Sequence, residues 1–336
     1  MDRNVGGIPV FVGSAVVVTA PHATQGDQMK VLALLNEDGG TLKTTNLDWL
    51  SSLLRDEFAV QGHTVEIVRC SGNEVVQAIQ GAVDRHDTEV LLVGGGDGTV
   101  SAAAAKCVGT KTALGILPAG TMNLFARTLQ IPLDLEQAIG ALASGRITPV
   151  DVGRANGEVF VHQYAVGLHA RMVRMRNKFS YGSRIGKVMA TWRAGWIAIR
   201  TLPEISLEIE LDGKVQEIKS AAVAFSNNFY GTGHVPFADD PTDGYLGVYI
   251  CKARSVGRVA KLVLDIMMGA WRENQNLDAF KAKRVRLIYG GRNHKDRAVK
   301  DGELVRLEDE TVIEIDPGAL MVLAPHEATY LSAKST

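Results

Sequence analysis

Unbroken apolar runs alternate with amphipathic stretches through the first half of the chain. The run 31–35 ends in the polar turn Asn36-Glu37-Asp38-Gly39-Gly40, the pattern of a strand covered on both faces. Leu47, Leu50, Leu54 and Phe58 then recur at helical spacing, with Thr45 or Asn46 placed as N-cap. Residues 64–68 predict a second strand. Val76, Ile79 and Val83 predict a second helix, capped near Ser71 or Asn73. A short strand at 90–93, an alanine-rich helix through 102–107, a strand at 112–117 and helices at 122–127 and 134–144 follow. Such βα alternation predicts an α/β domain with a parallel sheet and a ligand site at the C-terminal ends of its strands.

The pattern changes after Pro149. Short strands bounded by turns are predicted at 150–154, 159–166, 205–211, 221–225, 246–251, 284–289, 304–307, 311–315 and 320–323. They describe a mainly β, sandwich-like second domain. Helical spacing interrupts it at 185–199 and 256–271. The organisation expected is an extension over 1–28, an α/β domain over 29–149 and a β-rich domain over 150–326, whose C-terminal end returns to the first. The apolar run 8–20 is shorter than the 18 or so residues that span a bilayer; it faintly resembles a signal peptide, against the plain reading of a buried strand or a loose extension.

Composition narrows the function. The 336 residues carry 36 basic and 37 acidic side chains, a net charge of −1, which excludes a generally basic nucleic-acid binder. Cys70, Cys107 and Cys251 lie far apart, make no metal-ligand spacing and fit a reducing compartment. The 35 glycines are not periodic, so they read as turn and site residues.

The strongest chemical signal is Gly94-Gly95-Gly96-Asp97-Gly98-Thr99 between a strand and a helix. Glycines there let backbone N–H groups approach a phosphate, and the helix N-terminus adds partial positive charge. A carboxylate at Asp97 suits phosphate only with a divalent cation between them, or as acceptor of a proton from an attacking hydroxyl. The competing reading is that Asp97 caps its helix. A Walker A loop is missing, since Gly182 and Gly186-Lys187-Val188 have the wrong spacing and end in Val. The dinucleotide fingerprint fails at Thr99, and no H-E-x-x-H occurs.

Gly95-Gly96-Asp97-Gly98-Thr99, the run Leu117-Pro118-Ala119-Gly120-Thr121-Met122-Asn123-Leu124-Phe125-Ala126-Arg127, Asp243-Gly244-Tyr245-Leu246 and Asp301-Gly302-Glu303 stand in that order. On these residues the chain resembles the diacylglycerol kinase catalytic-domain family, which includes bacterial lipid kinases and sphingosine and ceramide kinases. The resemblance covers nearly all of residues 30–325. It implies an NAD kinase/diacylglycerol kinase-like first domain and ATP held between the domains. The nucleotide contacts it implies are Asn36, Ser71, Gly95, Gly96, Gly98, Thr99, Gly120, Thr121 and Asn123, with Gly120, Thr121 and Asn123 opening a second helix N-terminus toward the phosphates or the acceptor head group. The family's usual Asn-Pro is here Asn36-Glu37, and its common Asn-Asp pair is Asn123-Leu124. Asp97, Asp301 and Glu303 are the implied catalytic residues, with Asp301 as general base on a lipid hydroxyl, a role that relatives also give to Asp97, and Glu303 orienting Asp301 or helping metal binding. The plain alternative for Asp301 is an Asp-Gly hairpin turn. Mg²⁺ is implied at Asp97 and at Asp240, Asp243 and Tyr245, although relatives often have Lys where Asp240 stands. Arg127 is assigned to phosphate or to a surface ion pair.

Charge is uneven within this neutral chain. Residues 159–203 contain no Asp or Glu, while Arg171, Arg174, Arg176, Lys178, Arg184, Lys187, Arg193 and Arg200 are interleaved with Phe179, Tyr181, Trp192 and Trp196. The segment from Arg171 to Arg200 therefore reads as a peripheral contact with anionic membrane, against the plain reading of a solvated face or of arginines guarding ATP phosphates. The function expected is an ATP- and Mg²⁺-dependent lipid kinase of phospholipid metabolism, cytoplasmic and peripherally membrane-associated. A lipid substrate and no nucleic acid are its expected partners, with a homodimer left open. The alternatives are an NAD kinase-like enzyme and a catalytically silent lipid-binding regulator of the same fold.

Overall fold

The computed structural model describes residues 28–85, 87–176, 205–211, 214–231, 236–289 and 297–332. The apolar run 8–20, the helical spacing 185–199 and most of the basic segment from Arg171 to Arg200 lie outside them.

The first half folds as an α/β layer. Its strands are β1 (Lys30–Asn36), β2 (Thr64–Cys70), β3 (Val90–Gly95) and β4 (Ala113–Pro118), parallel in the order β2-β1-β3-β4. The central strands β3 and β4 are buried along their whole length, which is why they read as continuous apolar runs. Helix α1 (Leu47–Val60) is capped by Asn46, whose side chain accepts from Asp48 and Trp49 N–H, and it buries Leu50, Leu54 and Phe58. Helix α2 (Val75–Val83) turns Val75, Ile79 and Ala82 inward and leaves Val76 exposed, one position from the stripe read off the sequence. Helices α3 (Asp97–Cys107), α4 (Leu124–Thr128) and α5 (Leu135–Ala143) complete the layer.

The second half is a β sandwich. One face is built from β5 (Arg146–Ala155), β6 (Glu158–Phe160), β8 (Ile205–Leu211), β9 (Lys214–Ser220), β13 (Arg284–Tyr289) and β16 (Glu310–Ala324). The other is the antiparallel sheet β12-β11-β10-β7-β14-β15. Its strands are β7 (Gln163–Gly167), β10 (Ala222–Asn227), β11 (Leu246–Cys251), β12 (Leu277–Ala282), β14 (Arg297–Lys300) and β15 (Glu303–Arg306). Tyr164, Val166, Phe225 and Val248 from this sheet share a core with Leu207, Ile209, Val285 and Ile313 from the facing one. Helices α6 (Leu168–Arg176) and α7 (Val256–Met267) belong to this half, and α8 (Thr329–Ser332) ends the described chain.

Strand β16 ties the halves together. The sequence suggests two strands there, split at Pro317-Gly318. The structure has one strand of 15 residues with an irregularity between Asp316 and Leu320. Its first part pairs with β13, and its last part runs parallel to β4. One ten-stranded sheet therefore runs through both halves. The irregularity is held by Asp151, a buried carboxylate on β5. It accepts from Gly318 N–H at 3.0 Å, Gly244 N–H at 2.8 Å and Asn228 Nδ2 at 2.8 Å. Asp151→Ala strands these three donors, and hydrogen bonds to a charged group contribute about 1.5–3 kcal/mol each. A loss of about 3 kcal/mol or more in urea unfolding is expected; an unchanged midpoint would show that the cluster holds nothing.

Candidate active site

Three loops meet at the C-terminal ends of β1, β3 and β4. Thr41 N–H donates to Ala119 O at 2.8 Å, joining the first loop to the third. Gly40, at φ +38°, faces Ala119 O so closely that a Cβ would collide with it. A Cβ on Gly120 would stand 2.7 Å from Gly96 Cα, so the second and third loops touch backbone to backbone. Gly95 is demanded by Thr99, whose side chain folds back to 2.7 Å from where a Cβ would lie. Thr99 Oγ1 also accepts from the buried Asn36 Nδ2 at 3.3 Å. By contrast a Cβ on Gly98 would meet open space. Gly96 caps α3 without a side chain, and the first helical bond runs from Val100 N–H to Gly96 O. The leading N–H groups of α3 therefore present partial positive charge to an open cradle suited to phosphate.

Asp97 does not cap its own helix. Its Oδ2 accepts from Asn123 N–H at 3.1 Å and its Oδ1 from Leu124 N–H at 2.6 Å. It is the N-terminal anion of α4 and welds the second loop to the third. This corrects the expectation that Gly120, Thr121 and Asn123 open a second phosphate-binding helix end. Asp97 already fills it, and Asn123 Oδ1 accepts from Gly120 N–H at 2.8 Å. Asn123 adopts φ +51°, a left-handed conformation that Asn tolerates, so α4 starts at Leu124 and not at Met122. Thr121 is exposed at the loop tip. Arg127 Nε donates to Met122 O at 2.9 Å, bracing its own loop. Ser71 is committed to Glu74, with Oγ 2.7 Å from Oε2, while Asp38 links the loops after β1 and β2 by accepting from Gly72 N–H at 2.8 Å.

Asp301 lies 200 residues from α3 and is bonded to it. Asp301 and Gly302 are the two central residues of the β14–β15 hairpin, at φ +48° and +88°, so the Asp-Gly turn reading holds. The carboxylate is also buried. Oδ1 accepts from His162 and Gln163 N–H at 2.9 and 3.0 Å, and Oδ2 from Val161 N–H at 2.9 Å and Ser101 Oγ at 2.7 Å. Burial pushes the Asp301 pKa up, and these four donors oppose the rise. Ser101 stands four residues after Asp97, so both project from one face of α3. Glu303 is exposed at the start of β15 and pairs with Lys300 across the ladder. The groups that orient Asp301 are thus Ser101 and the 161–163 backbone, in place of Glu303.

His162 escaped the reading of the sequence, where it is one of eight scattered histidines. Its ring stacks on Tyr230 with centroids 5.7 Å apart, and burial holds its pKa down at about 4 against the charge of Asp97. The imidazole is therefore neutral at pH 7 and lies within the field of Asp97, while the backbone N–H of His162 holds Asp301.

The acidic turn does not gather into a cation site. Asp240 Oδ1 accepts from Thr242 N–H and Oγ1 at 2.8 and 2.6 Å. Asp243 accepts from Asn228 Nδ2 and Tyr245 N–H, and Lys281 Nζ lies 2.8 Å away as its counter-charge. Among the described residues no three His, Cys, Asp or Glu side chains come together to hold a metal. Asp240, Asp243 and Tyr245 therefore do not fit a protein-held Mg²⁺, because Lys281 already supplies the positive charge. The three cysteines are free and buried.

Beside Gln163 opens an apolar cavity of about 310 Å³ between the second sheet, α6 and α7. Ala165, Ala222 and Ala224 leave the space, and Met172, Leu262 and Ile266 roof it. Its polar end carries Gln163, whose Oε1 accepts from Tyr230 OH at 3.2 Å.

Comparison with known proteins decides the family. Residues 30–155 match the diacylglycerol kinase catalytic domain, and residues 163–324 the YegS C-terminal NAD kinase beta sandwich-like domain. The chain belongs to the diacylglycerol kinase/lipid kinase family. An uncharacterized protein of Synechocystis sp. is 28% identical over 271 residues, 76% of this chain and 60% of that protein, so the chain spans under two thirds of that relative. A diacylglycerol kinase of Bacillus subtilis is 26% identical over 226 residues, 65% of this chain and 72% of the relative. The crystal structure of a diacylglycerol kinase from Bacillus anthracis superposes with a TM-score of 0.65 at 18% identity, covering 91% of this chain and all of that one, which shows the shared fold. An α/β first domain and a β-sandwich second domain are the architecture of this family. No helix among the described residues is long and apolar enough to cross a membrane.

The depressed His162 pKa gives an acid-stability test. Its folded value lies below the ordinary 6.5, so protonation favours the unfolded chain. The stability it contributes is complete above pH 6.5 and is lost as pH falls toward 4. His162→Gln is expected to flatten this part of the melting-temperature profile. An identical acid slope in both proteins would place His162 in contact with solvent.

Proposed function

We propose that the protein is an ATP-dependent lipid kinase that transfers the γ-phosphoryl group to the hydroxyl of a lipid alcohol, such as diacylglycerol or a sphingoid base. One observation carries this reading. The phosphate cradle at the start of α3 and the apolar cavity beside Gln163 are joined by a single buried carboxylate, Asp301, bonded to Ser101 on one side and to Gln163 N–H on the other. ATP phosphates would lie over the backbone of Gly95, Gly96, Gly98 and Thr99, with Asn36 supporting Thr99. A Mg²⁺ ion carried in on those phosphates would find Asp97 as the carboxylate of that loop and would neutralise charge on the transferred group.

The acceptor hydroxyl is a weak nucleophile at neutral pH and needs a base. Asp301 suits that role because burial raises its affinity for a proton. An ionised carboxylate offers about four lone-pair sites, and all four here hold a donor. Three of those donors are backbone N–H groups in a fixed loop, so the rotatable Ser101 hydroxyl is the one that yields its place to the substrate. The filled lone pairs of Asp301 also support a second reading, a lipid-binding protein of this fold without turnover. The apolar lining of the cavity disfavours NAD as acceptor.

The test is ATP turnover with diacylglycerol, sphingosine and NAD in parallel. Turnover with a lipid is expected, and Asp301→Asn is expected to lower kcat by about 100-fold or more, with a lower melting temperature because the amide NH2 meets two of the four donors. The acid limb of kcat/KM should reflect a group above the ordinary aspartate range and vanish in that variant. Asp97→Ala should raise the KM for ATP, because the second and third loops lose their weld. Full activity in Asp301→Asn removes it as base, and no turnover with any acceptor favours the second reading.

A further inference from the structure

Helix α7 has two apolar faces. The inner one, with Val259, Leu262 and Ile266, walls the cavity. The outer one is a stripe at four-residue intervals, Val256, Ala260, Leu264 and Met268, with Val256 37%, Leu264 54% and Met268 64% exposed. Four-residue spacing puts these on one side of the helix. A soluble helix normally turns charge to solvent where this one turns Leu and Met.

The flanks of the stripe are basic. Arg254, Arg258, Lys261 and Arg272 are exposed, against Asp265, which lies 3.6 Å from Lys261 Nζ, and Glu273. Two of these cations sit at the wrong end of the helix. The first turn of α7 contains no acidic residue, Ser255 makes no side-chain capping bond, and Arg254 and Arg258 bracket the positive end of the helix dipole. Anions arriving there would satisfy both the dipole and the arginines.

We propose that the outer face of α7 docks on an anionic lipid bilayer, lying in the interfacial plane with Leu264 and Met268 among the acyl chains and Arg254 and Arg258 on the headgroup phosphates. The apolar stripe needs a hydrocarbon phase, and the arginine pair needs a fixed array of anions. A bilayer supplies both over the length of one helix. Because the inner face of the same helix walls the cavity, docking brings the cavity to the membrane that contains its substrate. In that last respect the inference rests on the lipid-kinase reading; the docking itself does not.

The experiment is co-sedimentation of the full chain with vesicles of phosphatidylcholine alone or mixed with phosphatidylglycerol. Preferential partition into the mixed vesicles is expected. Leu264→Glu with Met268→Glu, and separately Arg254→Glu with Arg258→Glu, should each lower that partition by about tenfold or more. Both variants should keep the wild-type melting temperature and wild-type turnover of a short-chain lipid dispersed in detergent. Wild-type partition in both variants overturns the proposal, as does equal binding of the wild type to the two vesicle compositions. If the wild type is a dimer that Leu264→Glu with Met268→Glu splits while vesicle binding persists, the stripe joins two copies and the proposal also fails. Vesicle binding without turnover of any lipid leaves the docking surface standing and removes the kinase reading.

Discussion

A buried carboxylate must be given donors, and that requirement at Asp301 organises the site. An ionised oxygen pair removed from water loses several kcal/mol of hydration unless hydrogen bonds replace it. Here the replacements come from two places in the chain: the Asp301 hairpin docks on the 161–163 backbone and on Ser101 in α3. Satisfying one side chain therefore fixes the sandwich against the α/β layer at the point where phosphate and acceptor would meet. Strand β16 adds a second, independent tie through its pairing with β4 and β5.

Asp97 applies the same physics inside the first domain. A charge at the mouth of a phosphate loop would repel phosphate if it faced outward. Spent on the N–H groups of Asn123 and Leu124, it holds two loops in register and leaves the start of α3 open. The glycines follow from that geometry, since a Cβ at Gly40 or Gly120 would collide with the neighbouring loop and one at Gly95 with Thr99. Gly98 is different, because nothing stands where its side chain would be. The cavity is made by a similar economy of atoms, with alanines on the sheet face under α6 and α7.

Periodicity made the α/β layer legible because β1, β3 and β4 are buried on both sides and α1, α2 and α5 carry apolar stripes. It failed where local pattern competes with tertiary contact. The α2 stripe lies one residue from its expected place because Val75 and Ala82 share the inward face with Ile79. β16 looks like two strands because Pro317-Gly318 interrupts it, and only the Asp151 bonds to Gly318 and Gly244 show why the ladder continues. Strands β9 and β12 are largely exposed and carry mixed charge, and β14 has only four residues, so no clean alternation announces them. Within the site, the glycine loop and the Asp301-Gly302 turn were visible as motifs. The direction of the Asp97 side chain was not, since capping a helix 27 residues further on leaves no local mark. Ser101 and His162 were equally silent: a serine in an alanine-rich helix and a histidine in a strand-like run gain meaning only when α3 and the 161–163 loop meet.

The central claim is that the phosphate cradle and the apolar cavity form one phosphoryl-transfer site. The most direct measurement follows the γ-phosphate of labelled ATP after incubation with the full chain and mixed lipid vesicles. Label in a phosphorylated lipid recovered in the organic phase is the expected result. Label confined to inorganic phosphate, or recovered in phosphorylated NAD when NAD is offered in competition, would contradict it.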